Sequence, residues 1–323
     1  MKPKIGPQGL RIKDIDQGSY AFVPDHWPYK NDLPRGAFPG TKVGLEASYS
    51  LFDKCDVWSE NAADLYEDAI RDRWASALDV PWQDLKPYPE IAERAICQIL
   101  TEFSESALVA LQVFSGWLER ISYGFYEVKS FLATEIYDCG RHHEAFRKRA
   151  LANGGGLMRC LTGTERFLRT ILHAPTYVQG SFLMHVLGEG LVLDIFRGGE
   201  FLAQNETEKE MYRLCMQDEA RHVSYGTMHL KYFLEHHPER EKALQDMHNL
   251  ADIAELGIPG FLTNPFIIEP LAVLMGGGVK HIDNGMGAVR LVWGRMREEY
   301  LSRCELAGMD RRSRTRIPAE APY

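Results

Sequence analysis

The sequence predicts a single all-α domain built around a bundle of long helices. Apolar residues recur at three- and four-residue spacing over several long segments, strand-type alternation is absent, and Pro and Gly clusters close the segments at their ends. With 323 residues, 45% hydrophobic and 25% charged, the chain is long and apolar enough to bury a sizeable core.

Taken in order, residues 1–57 are rich in Pro and Gly, and PDHWPYKNDLPRGAFPG shows little period, so an irregular N-terminal arm is expected, followed by one helical domain over 58–323. Ser59 is placed to cap a helix through NAADLYEDAIRDRWASAL, which VPWQDLKPYP then breaks. Long helices are expected from about Glu90 to Ile121 and from about Glu127 to Ala150, the second closed by NGGG. Thr164 to His173 and Tyr177 to Phe196 read as helical on either side of Pro175, and Glu206 to His236 as a long helix stopped by Pro238. The bundle thus spans about 90–236. A C-terminal extension over 239–308 holds a helix near Glu239 to Leu256, a broken stretch (GIPGFLTNPFIIEP, MGGGVKHIDNGMG) and a last helix from about Ala288 to Leu306.

The formal charge of −8 argues against general nucleic-acid binding, which needs a basic surface. The one basic run, MDRRSRTR at 309–316, reads as a solvated tail before it reads as a docking patch. Six cysteines without C-x-x-C spacing fit free thiols in a reducing compartment, so a cytoplasmic location is expected. No apolar run reaches the roughly 18 residues that would span a bilayer, and no partner membrane is expected.

Chemistry concentrates in four segments. In FSESALVALQVFSGWL, Glu105 is the only charged residue of an otherwise apolar helix, and Glu189 lies between two glycines amid Leu and Val in LGEGL. A lone buried carboxylate is driven to protonate unless a cation or a hydrogen-bond network faces it. In MQDEARHVSYG, Glu219 and His222 lie three apart and share one helix face, and IYDCGRHHEAF repeats the frame as Asp138-Cys139-Gly140-Arg141-His142. Lone glutamates on two helices with Glu-x-x-His on two others form the ligand pattern of di-iron bundles, in which carboxylates neutralise two divalent ions and imidazoles add nitrogen donors. Glu105, His142, Glu189, Glu219 and His222 are the candidate ligands. Asp138, Arg141, Asp218 and Arg221 stand behind them, the aspartates to receive the second histidine N–H and the arginines to hold the aspartates.

These motifs, over roughly residues 58 to 236, resemble those of the ferritin-like superfamily of dinuclear metal oxygenases and oxidases. The resemblance implies a ferritin-like four-helix bundle with additional helices, two iron ions or a Mn/Fe pair, dioxygen as co-substrate, and electrons from a partner protein. The family pattern would place a glutamate at Cys139. Three outcomes are open: Glu135, one turn earlier on the same face, supplies the carboxylate; Cys139 coordinates as a thiolate; or the second position is weak or empty.

The bland readings are that a DEARH segment alone is a solvated charged face, and that His185, His229 and Cys215 are satisfied buried residues. The glycine clusters at 154–156 and 276–278 lack the strand–turn–helix setting of a phosphate loop. The joint pattern outweighs these and points to an oxygen-dependent oxidoreductase, a mono-oxygenase or oxidase, acting on a small organic substrate that is apolar or aromatic. Leu108, Val109, Val186 and Val192 are candidate shields for its site. The rivals are a non-catalytic bundle subunit of a multicomponent oxygenase, which Cys139 favours, and a ferroxidase-type metal-binding protein. A homodimer is compatible with the sequence.

Overall fold

A computed structural model describes residues 3–30, 35–36 and 46–322; positions 31–34 and 37–45 of the expected arm lie outside the described residues. Within the arm, a one-turn helix α1 (Ile12–Ile15) is followed by irregular chain. The buried Arg35 anchors it by donating to Glu127 (2.9 Å) and to the Gly124 carbonyl (2.8 Å).

Helix α2 spans Ala62–Arg71. Ser59 does not cap it: the hydroxyl is buried and donates to the Asn61 side-chain oxygen (2.5 Å), with the Tyr225 carbonyl at 3.3 Å. The helix also stops well before the expected Leu78, because Trp74 turns inward to donate its indole N–H to Asp218 (2.8 Å).

The bundle consists of α3 (Glu90–Leu118), α4 (Tyr126–Ala152), a composite helix and α8 (Glu206–His236). The composite helix begins as α6 (Tyr177–Ser181), opens into a π-helix over Phe182–Glu189 and continues as α7 (Gly190–Leu202). α3 pairs with α4, the composite helix pairs with α8, and α4 faces α8 across the core. α5 (Thr162–Leu172) lies beside α3. The core between these helices is aromatic and aliphatic, with Phe114, Phe125, Phe131, Phe146 and Phe196 all buried.

The C-terminal extension is more helical than its composition suggests. α9 runs Arg240–Leu262, α10 Pro265–Met275 and α11 Ile282–Leu306. α10 falls within the expected broken stretch. The Asn264 side chain accepts from the Phe266 N–H (3.0 Å) and Pro265 occupies the first turn, so Asn-Pro here starts a helix rather than breaking one. α10 and α11 pack on each other, and that burial outweighs the low helix propensity of the glycines at the start of α11.

The basic tail is not simply solvated. Arg311 is fully buried, donating to Glu255 (2.9 Å) and Asp252 (2.6 Å) of α9, while Arg312 beside it remains on the surface. Among the described residues no helix is long and apolar enough to cross a membrane.

Candidate metal centre

The two Asp-x-x-Arg-His frames sit on α4 and α8 and face each other. Asp218 on α8 lies 3.0 Å from His142 Nε2 on α4, and Asp138 on α4 lies 3.5 Å from His222 Nε2 on α8. Arg141 donates to Asp138 (2.5 Å) and Asp218 (2.6 Å); Arg221 reaches Asp138 at 3.2 Å and also donates to Asp218. Each aspartate therefore faces the histidine of the opposite helix, Asp218 within hydrogen-bond distance and Asp138 slightly farther, and each arginine bridges both aspartates. The Trp74 indole completes the shell around Asp218, with Arg141 stacked over its ring.

Inside this shell the donor atoms converge. Glu219 lies 3.2 Å from His142 Nδ1 and 3.5 Å from His222 Nδ1, and Glu189 lies 3.7 Å from His222 Nδ1. Ligand atoms of Cys139, Glu189 and His222 all lie within 4.8 Å of one another, and so do those of Glu135, His185 and Glu189. Every one of these side chains is buried. Both Glu189 oxygens, Glu219 Oε2, Glu135 Oε2 and His222 Nδ1 have no hydrogen-bond partner. Buried polar atoms without partners are costly, and so many aimed into one space fit a site built to hold cations.

The charges agree. Among the described residues, five buried carboxyls (Glu135, Asp138, Glu189, Asp218, Glu219) gather here with two guanidiniums, Arg141 and Arg221, which pair with the two aspartates. Without metal, protons make up part of the difference. Burial opposes a charge on His142, but Cys215, Asp218 and Glu219 beside it outweigh that and raise its affinity for a proton well above the ordinary level. Burial likewise works against His222, and Asp138, Glu189 and Glu219 outweigh it. Burial also opposes the Glu219 carboxylate, yet the two imidazoles hold it down at about 2. Glu189 is raised by burial and by the Glu219 charge. Glu135 is pushed up to about 8 by burial, and Cys139 well above the ordinary thiol range for the same reason. Metal ions would displace these protons, the usual coupling between cation binding and ligand ionisation.

The structure departs from the sequence-based ligand set on α3. Glu105 is only half-buried and belongs to neither donor group. The stripe of α3 that lines the central cavity carries Glu102, Ser106 and Ala110, and at about 100° per residue Glu105 falls off that stripe. Glu102, one position before the apolar run that holds Glu105, is the buried carboxylate of that stripe. It accepts from the Leu161 N–H (3.0 Å) and Gln98 (2.9 Å), which ties it to the connection before α5.

The sequence suggests a satisfied buried role for His185, and makes it the first residue to examine should neither Glu135 nor Cys139 hold metal. It is buried and hydrogen-bonded, yet it stands with Glu135 and Glu189 in a donor group. Its signal in the sequence was its place four residues before Glu189, and that of Gly226 four residues after His222. His229 and Cys215 are buried, His229 near the Trp58 carbonyl (3.1 Å) and Cys215 beside His142.

An apolar cavity of about 100 Å³ opens beside Glu189, Glu219 and Cys139. Its walls include Phe103, Ala107, Met184, Val192 and Ile195, with Glu102 and Thr164 among its polar lining. Of the four aliphatic residues expected to shield the site, Val192 lines this cavity, while Val186 is buried elsewhere in the core and Leu108 and Val109 are half-buried on α3.

The fold is ferritin-like, and solved structures that share it include R2-like ligand-binding oxidases. One, with an aerobically reconstituted Mn/Fe cofactor, superposes with a TM-score of 0.59 at 17% identity, covering 77% of this chain and 93% of that one. A single-residue variant, also with aerobically reconstituted Mn/Fe cofactor, gives 0.57 at 18% identity over 77% and 94%. Another variant, with anaerobically reconstituted Mn/Fe cofactor, gives 0.57 at 17% identity over 77% and 93%. At these identities the likeness shows the fold. No protein-family model and no curated protein matches the sequence.

Proposed function

We propose that this chain is a dinuclear-metal oxidase that acts with dioxygen on a small apolar organic molecule. One observation carries the reading: Glu189, Glu219 and His222 bring buried, unpartnered donor atoms together between helices whose outer network holds the histidines in place. The Mn/Fe cofactors named for the R2-like oxidases of the same fold support it.

In this reading Glu189, Glu219 and His222 hold one ion, and the oxygen and nitrogen donors suit either two irons or a Mn/Fe pair. Such a pair supplies one-electron chemistry with dioxygen, its electrons coming from an external donor. The chain does the rest. Asp138 and Asp218 orient the rings of His222 and His142, and Arg141 and Arg221 hold both aspartates in place. The apolar cavity walls seat an apolar or aromatic molecule against Glu189 and exclude water from it.

Metal analysis of the purified protein after anaerobic loading with Fe(II), or with Mn(II) and Fe(II), tests the reading. About two equivalents are expected, with loss in Glu189→Gln and His222→Gln, and oxygen uptake by the reduced, loaded protein. A wild-type chain that binds no metal would sink it.

A further inference from the structure

We infer that the second metal ion sits one helical turn along the bundle from the position the repeated motif marks, on Glu135, His185 and the shared Glu189. Such a site presupposes the dinuclear oxidase proposed above and names where its second ion lies.

On the His142 side an ion would find few carboxylates. Cys139 stands where a carboxylate would be needed, and Glu105 lies outside the donor groups. His142 itself belongs to neither donor group: Asp218 lies 3.0 Å from its Nε2, while its Nδ1, without a hydrogen-bond partner, has Glu219 as the nearest carboxylate at 3.2 Å.

The opposite side is furnished. Glu135, His185 and Glu189 offer two carboxylates and an imidazole from two facing helices, mutually within 4.8 Å and all buried. Glu135 Oε2 and both Glu189 oxygens have no hydrogen-bond partner. His185 Nδ1 lies 2.9 Å from Ser181 Oγ, which leaves Nε2 facing Glu135 at 2.8 Å. That is the usual arrangement of a ligating histidine, its far nitrogen engaged so that the near one presents a lone pair.

The surroundings are shaped to this ring. Phe114 stacks on it with centroids 4.4 Å apart and planes 2° from parallel. Gly226 on α8 leaves the space it fills: a Cβ there would lie 2.2 Å from His185 Cβ and 2.9 Å from Nδ1. The π-helical segment Phe182–Glu189 presents His185 and Glu189 together, and π-helical turns recur at functional sites. Arg303 on α11 donates to the Val186 carbonyl within it (3.1 Å), reaching over Gly190, where a Cβ would collide with the guanidinium at 2.4 Å. Carboxylate and imidazole donors of this kind take a divalent ion of the manganese or iron type.

The test uses the full chain, stripped of metal and reloaded anaerobically with Mn(II) or Fe(II), with metal content and the Mn(II) electron paramagnetic resonance spectrum as readouts. Wild type is expected to bind two ions. His185→Gln and Glu135→Gln should each keep one and weaken the second by more than about 100-fold, since losing a ligand costs more than the 10- to 100-fold typical of the groups behind ligands. The spectrum should change from coupled to mononuclear, and His222→Gln should lose the ion those variants retain. Gly226→Ala, which removes no donor, should weaken the same second ion by displacing His185. Glu135→Gln, nearly isosteric, carries the test if the His185 variant does not fold. Two ions retained in Glu135→Gln and His185→Gln would overturn this site and leave the dinuclear reading standing. A wild-type chain that binds none overturns both.

Discussion

Asp218 on α8 holds His142 on α4, its Oδ2 lying 3.0 Å from the imidazole Nε2. The contact crosses from one frame to the other, and the reciprocal pair Asp138 and His222 stands at 3.5 Å. Buried Arg141 and Arg221 each bridge both aspartates, so the two frames form one charge network rather than two local ones.

Asp218→Asn keeps the shape of this network and removes its charge. Metal affinity should fall about 10- to 100-fold, the common cost of altering the group that orients a ligand, while circular dichroism shows the fold retained. Isothermal titration of the metal-free variant checks it, and an unchanged affinity contradicts the assignment.

Cys139 is expected to be a bystander. Burial holds its thiol neutral, and hard divalent manganese and iron favour the oxygen and nitrogen donors around it. Cys139→Ser should keep both metals. The oxidised wild-type protein should show no sulfur-to-metal charge-transfer band; the appearance of one, lost in the variant, makes the thiolate a ligand.

The metal-free protein should lose stability as pH rises from about 6.5 to 8. Burial raises Glu135 to about 8 from an ordinary 4.5, so folding retains a proton that the unfolded chain has released. His142 and His222 are raised against their burial by the acids around them, and act in the same direction above 6.5. His185, lowered to about 4 by burial, favours folding as pH rises but has finished doing so by about 6.5. Urea unfolding at pH 6.5 and 8 measures the slope, which Glu135→Gln should reduce and bound metal should reverse. A flat profile for the metal-free wild type contradicts the charge assignment.

Arg311→Ala should destabilise the fold by about 3–5 kcal/mol, the range for breaking a buried ion pair and leaving its partner uncompensated. Glu255 would be the stranded charge, since it is fully buried against Arg311, Tyr300 and Thr315. Arg312→Ala, three-dimensionally adjacent but exposed, should change stability by less than about 1 kcal/mol. Denaturant melts of the two variants give the comparison, and equal effects would refute it.

Much of this protein was legible one helix at a time. The boundaries of α8, the run of α3 and α4, and the matching Asp-x-x-Arg-His frames follow from periodicity and spacing, because a helix fixes which of its own residues share a face. Relations between helices were less legible. Glu102 and Glu105 are three apart on one helix, and only the placement of α3 against α5 and the composite helix makes the first a cavity residue and leaves the second outside the donor groups. Asn264 and Pro265 read equally as a break or a helix start, and packing of α10 on α3 and α11 decided between them.

The sequence by itself determined an all-α chain with carboxylate and imidazole donors at helical spacing, since those patterns depend on local geometry and on residue type. Only the tertiary structure decided which donors meet. A π-helical segment in the facing composite helix brings His185 within 2.8 Å of Glu135, in space opened by Gly226 on α8. That meeting depends on distances between three separate helices, a quantity set by side-chain packing across the core and carried by no single stretch of chain.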